Sequence, residues 1–223
     1  MTDWLDYAIT DFVPFSAEAY WRLIENHNRA VWPLHLAAVA LGAAAIFLTV
    51  RPFPWSGRAV ACLLAVAWAW VGWRFVGTEY AALNWAGQAF MWAFMVQAAL
   101  LLVLGAIGER LGLGASRKGW QIDLGLAVAA LALYPMVPMV TGRPMAGAEV
   151  FGIAPDPTAL ATLGFVALAP NGVTALVLSV IPLAWIAVSA VTLSALGALE
   201  AWVLIAAGVM ALGGLLLRRP VLG

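Results

Sequence analysis

The chain alternates long apolar runs with short polar breaks. Residues 1–29 are too polar to span a membrane. Within them Ser16 is placed to cap a short helix, with Glu18 in its first turn, and Tyr20, Trp21, Leu23 and Ile24 line up for a membrane interface. This amphipathic helix is expected to run directly into a first span at about Ala30–Val50. Further runs predict spans at Gly57–Val76, Ala86–Ile107, Ile122–Val140, Val173–Leu196 and Leu199–Leu217. Between the fourth and the last two lies a shorter apolar segment, Pro157–Ala169. At about 1.5 Å per residue it reaches only ~20 Å, which makes it a short span or a re-entrant half-helix. The expected fold is all-α: a polytopic transmembrane bundle of about seven spans (residues 30–219), preceded by an interfacial segment (residues 1–29).

The positive-inside rule favours a crossing by the short segment. Arg51 and Arg58 lie in the first loop, Arg110, Arg117 and Lys118 in the third, and Arg218 and Arg219 at the end. With seven spans these share the cytoplasmic side, and the acidic N-terminal residues Asp3, Asp6 and Asp11 fall outside. The expected location is a cytoplasmic membrane. The N-terminus lacks the basic region and short apolar core of a signal peptide.

Composition sharpens the class. Of 223 residues, 65% are hydrophobic and 10% charged, and the formal net charge is zero. That leaves no basic face for nucleic acid. Cys62 is the single cysteine, so no internal disulfide forms. The sole lysine, Lys118, lies in a loop, which excludes a retinal protein with a buried Schiff base. Two histidines, His27 and His35, without an acidic partner or an HExxH pattern, give no metal site, and no cofactor motif is present.

The chemistry concentrates between Tyr134 and Pro170, where prolines break the apolar run and polar groups fall at membrane depth. Asp156 before Pro157 reads as a helix N-cap. Either it opens a half-helix whose amide end faces a solute cavity, or it caps a helix at the outer interface. Thr158 and Thr162, one turn apart, line that cavity or bond back to preceding carbonyls. Tyr134 and Asp123 share a face of the fourth span, and Asp123 lies within a turn of Arg117 and Lys118. Arg143 and Glu149 are expected to pair at the outer mouth, as are Arg74 and Glu79. Asn84 and Gln88 fall on one face if the third span starts early. Pro182, Trp185, Ser189 and Thr192 form the inner face of the sixth span, and Gln97 is expected to reach a neighbouring helix. The proposed solute-binding set is therefore Asp156, Thr158, Thr162, Tyr134, Arg143, Glu149 and Trp185. Arg74, Glu79, Asn84, Gln88 and Asp123 form a second polar cluster.

Several short motifs carry a resemblance. They are Asn28-Arg29-Ala30-Val31-Trp32-Pro33, Asn84-Trp85-Ala86 with Phe90, Phe94 and Gln97, and Tyr134-Pro135. Phe151-Gly152 with Pro155-Asp156-Pro157-Thr158 and Thr162-Leu163-Gly164 is the most specific, and Ile181-Pro182 with Trp185 completes the set. Over about residues 20–200 the chain resembles a bacterial multi-pass membrane family catalogued among the domains of unknown function under the number sixty sixty-four. Trp73-Arg74 stands where that family commonly has Tyr-His. The resemblance implies a shared seven-helix-like bundle and no activity.

Three classes of function remain. The first is a transporter, channel or binding protein for a small polar solute or ion. The second is an accessory or assembly subunit that packs against lipid, a membrane-protein partner or a second copy. The third, a membrane enzyme acting on lipid or quinone, lacks any visible nucleophile or metal constellation.

Overall fold

The computed structural model describes residues 13–113 and 120–216, and in them the only regular structure is helical. Helix α1, Ala17–Val31, begins where Ser16 accepts a 3.2 Å hydrogen bond from the Ala19 amide. Its buried face is Tyr20, Ile24, His27, Asn28 and Val31, a helical stripe. Arg22–Glu18 and Arg29–Glu25 ion pairs decorate the opposite side. Tyr20 and Ile24, expected at the lipid interface, instead face the protein core.

The predicted continuous passage into a first span does not form. Pro33 lacks the amide that would continue α1 and forces Trp32 into extended backbone (ψ 135°). Helix α2, Leu34–Val50, therefore departs at 90° to α1. Among the described residues four helices are long and apolar enough to cross a membrane: α3 (Ser56–Leu83), α4 (Gly87–Ile107), α5 (Trp120–Thr141) and α7 (Gly172–Ala195). The bent α1–α2 pair makes up to five. The expectation of seven is corrected by two elements that run of hydrophobicity alone misjudged. Helix α6, Pro155–Val166, has 12 residues and rises only about 18 Å. Helix α8, Glu200–Leu216, has 17 in its described part.

Helix α6 is the centre of the assembly. Every one of its residues is buried, Asp156, Thr158 and Thr162 included, so protein surrounds it on all sides. It packs against α5, α7, α8 and α3. Arg143, just before it, pairs with Glu200 at the start of α8, while Pro170, just after it, lies against Gly112. Arg58, in the first turn of α3, pairs with Glu109 in the third loop. Arg117, Lys118, Arg218 and Arg219, on which the predicted orientation rests, lie outside the described residues, as do Asp3, Asp6 and Asp11.

Non-helical backbone inside such a bundle must find partners within the protein. The segment leading into α6 does so locally. Gly147 and Ala148 amides donate to Pro144 and Met145 carbonyls at 2.9 and 3.0 Å, and the Ile153 and Ala154 amides both reach the Val150 carbonyl. The Gly152 amide donates to Thr158 Oγ1 at 2.8 Å. From across the fold, Asn28 Nδ2 donates to the Ala146 and Ala148 carbonyls at 2.8 and 2.9 Å.

Close approach of α5 and α6 depends on Gly164. A methyl group there would lie 2.5 Å from the Ala127 amide nitrogen and 2.8 Å from the Asp123 carbonyl oxygen, both backbone. Gly164→Val is therefore expected to destabilise the protein by roughly 1–3 kcal/mol, the usual penalty of overpacking. Gly125, around which a methyl group would meet nothing within 4 Å, supplies the control. Thermal unfolding in detergent should show a lower midpoint for Gly164→Val and little change for Gly125→Ala.

Candidate functional site

Asp156 occupies the second position of α6, and Ala154 is the N-cap residue. The carboxylate therefore does not cap the helix, contrary to the sequence reading. It turns into the bundle, is 0% exposed, and accepts three hydrogen bonds. Trp185 Nε1 donates to Oδ1 at 2.7 Å, while Ser189 Oγ and the Tyr134 hydroxyl donate to Oδ2 at 2.8 and 3.1 Å. One acid thus ties α6 to α5 and α7. Its place in the first helical turn adds a favourable interaction with the helix dipole.

The donors are themselves held. Trp185 meets Tyr80, Phe90 and Phe94 edge-on, with centroids 6.1, 5.6 and 5.0 Å away. Its partners Pro182 and Ser189 share its buried face of α7, as the spacing predicts. Thr192 is half-buried and donates to the Val188 carbonyl.

Thr158 and Thr162 do not line a cavity. Both are fully buried and bond back to the Ala154 and Thr158 carbonyls at 2.7 and 2.8 Å. Thr162 Oγ1 also accepts from Trp68 Nε1 at 2.8 Å, which locks α6 to α3. Several clefts among the described residues lie elsewhere, one of 470 Å³ beside Phe47 and Arg51. One of 270 Å³ sits beside Asn28 and His35, one of 240 Å³ between α2 and α3, and one of 120 Å³ outside Trp185.

A second acid, Glu149, is buried close enough to Asp156 for the two charges to interact. Its Oε1 has no hydrogen-bond partner. Burial pushes its carboxyl well above the ordinary value of 4.5. Asp156 pushes the same way, and the Arg143 guanidinium opposes both. The expected Arg143–Glu149 ion pair does not form; Arg143 pairs with Glu200 instead. Its guanidinium carbon lies 3.5 Å from the centre of the Trp21 ring, a cation–π contact that clamps α1 to the bundle. Glu200 was not singled out as a site residue, because one acid at a helix start reads as an ordinary first-turn residue.

The remaining polar set divides. Arg74 pairs with Glu79 at 2.5 Å, as predicted. Asn84 lies in the turn before α4 rather than on it, donating to the Tyr80 hydroxyl at 3.1 Å and accepting from the Ala86 amide. Gln88 donates to the Gly77 carbonyl at 2.7 Å, so Asn84 and Gln88 do not act together. The Asp123 carbonyl lies against Gly164, at the end of α6 opposite Asp156; its predicted partners fall outside the described residues. Gln97 reaches across to the Leu178 carbonyl at 2.9 Å, as expected. Burial lowers the His27 pKa to about 4, leaving a neutral ring edge-on to Phe75. No group of three His, Cys, Asp or Glu side chains suited to a metal occurs among the described residues.

The fold and site together define a helical protein with several spans' worth of apolar helix closed around a buried acid centre. A family model described as a family of unknown function (DUF6064) matches residues 17–221, and the chain belongs to that family. No curated protein and no solved structure matches it.

Asp156→Leu would strand three buried donors. Its expected cost is about 3 kcal/mol or more, read as a large drop in thermal midpoint. Trp185→Phe keeps an aromatic ring and removes one charge-assisted bond, so it should cost about 1.5–3 kcal/mol. Equal stability of all three proteins would show that the hydrogen bonds hold nothing together.

Proposed function

We propose that the protein is an integral membrane protein that binds a small cation or proton at the acid pair Glu149–Asp156, in the manner of a transporter or channel. One observation carries the reading: two buried carboxylates interact at the core while Glu149 Oε1 is left without a partner. An ionisable group sequestered within apolar helices is expensive, and such groups mark ion or proton pathways. The half-buried Arg143 is shared with Glu200 and so offsets only part of the negative charge. The proposed setting is a cytoplasmic membrane, with the Arg143–Glu200 end outside.

An accessory or assembly role is the second reading. It is favoured by the saturation of Asp156, whose three donors serve packing as well as chemistry. Under that reading a stoichiometric partner accompanies the protein through mild-detergent purification.

The test uses proteoliposomes carrying a pH-sensitive dye, with imposed proton, sodium and potassium gradients. Wild type should dissipate at least one gradient, and Glu149→Gln should fall to the level of protein-free vesicles. Indistinguishable traces for wild type, Glu149→Gln and empty vesicles would remove the ion-handling role.

Protonation also sets a stability signature. The folded-state pKa of Glu149 lies above its unfolded value. Its stabilising contribution is therefore complete below the ordinary value and is lost as pH rises through the raised one. Glu149→Gln, which cannot ionise, should match wild type in acid and exceed it in thermal midpoint in alkali. Asp156, Arg143, Tyr20 and Tyr134 surround the group in both proteins.

A further inference from the structure

The bend between α1 and α2 opens a cleft of 270 Å³ whose lining includes Asn28, Arg29, Trp32, His35 and Val150. Asn28 is 8% exposed. Its amide orientation is fixed, because Nδ2 donates to two backbone carbonyls and a flipped group would set its oxygen against both. Oδ1 is therefore an acceptor, and it is buried without a partner. His35 Nδ1, in the same cleft, is also unpartnered. A buried acceptor left unmade is costly, so the chemistry calls for an occupant that donates N–H or O–H bonds.

The same cleft attracts an anion. Helix α2 starts here with no side-chain cap; the Leu36 amide bonds the Pro33 carbonyl at 3.0 Å, which leaves the Leu34 and His35 amides and the positive end of the helix dipole at the bend. Arg29 lines the same cleft, largely exposed and already paired with Glu25 at 3.1 Å. A donor and an anion in one small ligand describe a phosphoethanolamine or phosphoglycerol group.

What lies beneath the cleft extends the match. An almost wholly apolar furrow of 240 Å³ begins at Leu34, one residue before His35, and runs along α2 to Leu41 against Leu63 and Val66 of α3. Its floor is Phe151-Gly152-Ile153, directly after Val150 of the polar cleft. Gly152, at φ 71°, lies below Ala38 and Ala67 and keeps that floor low. Leu34, Leu41 and Val66 are exposed along its rim, so the furrow opens sideways towards the bilayer.

We propose that the α1–α2 bend and the furrow below it hold one bilayer phospholipid whose headgroup carries an N–H or O–H donor. The headgroup sits between Asn28, Arg29 and His35, and one acyl chain lies between α2 and α3. This site stands apart from the acid centre and rests only on the membrane setting.

Native mass spectrometry of the delipidated full chain in detergent provides the test. The probes are phosphatidylethanolamine, phosphatidylglycerol and phosphatidylcholine with identical acyl chains, together with free phosphoethanolamine. One molecule of the first two should be retained about five- to tenfold over phosphatidylcholine, the value of roughly one hydrogen bond. Free phosphoethanolamine should show no comparable retention. His35→Leu should weaken the headgroup preference, leaving the part carried by Asn28 Oδ1, and Ala37→Trp, in the furrow's lining, should lower retention of all three lipids. Equal retention of the three lipids by wild type overturns the headgroup assignment, whether or not the variants fold. Retention of free phosphoethanolamine at the level of the lipids overturns the bilayer source. Undiminished binding by a folded Ala37→Trp protein overturns the acyl-chain assignment.

Discussion

The hydrogen-bonded carboxylate of Asp156 is the constraint on which the arrangement rests. It is buried inside an apolar assembly, where water offers no alternative partners and each unmade bond is felt in full. Tyr134 from α5, and Trp185 and Ser189 from α7, converge on its two oxygens. Those bonds, together with the Thr162–Trp68 bond and the close approach at Gly164, fix the azimuth of a twelve-residue helix that is buried on every side.

Around that centre the structure is built in tiers. Thr162 and Trp68 tie α6 to α3, and Gly164 lets α5 come within backbone contact. Outside these, Asn28 supplies donors to the irregular segment before α6, while Arg143 spans Trp21 and Glu200. The α1 helix is thus more than an interfacial ornament. It completes the hydrogen bonding of backbone that would otherwise be stranded, which explains why its apolar stripe faces inward. Glu149 lies within this clasped region, and the same packing that hides it keeps one of its oxygens unpartnered.

Much of this was legible in the chain. The apolar runs located the four long helices to within a few residues, except that α3 continues to Leu83. The spacing of Pro182, Trp185 and Ser189 identified the inner face of α7. The Pro-flanked Asp156 drew attention to the segment that proves central. The errors have physical causes. An Asp before Pro resembles an N-cap, yet here Pro155 already starts the helix and moves the acid into its first turn. Hydropathy cannot tell an apolar helix enclosed by protein from one facing lipid, and so it offers for α6 either a short span or a re-entrant half-helix and misses its full burial. It also passes over Pro33, whose effect is a 90° change of direction. Long-range partners such as Arg143 with Glu200 carry no local signal, and neither does the unpartnered amide oxygen of Asn28.

The indole N–H of Trp185 reports on the centre directly. In a ¹⁵N-tryptophan-labelled sample, its hydrogen should be held by Asp156 and exchange with deuterium far more slowly than that of Trp202, which is exposed. Asp156→Asn should shift its resonance and leave the Trp202 signal unmoved. Rapid exchange at Trp185, or a resonance indifferent to that substitution, would mean that the carboxylate does not organise the bundle.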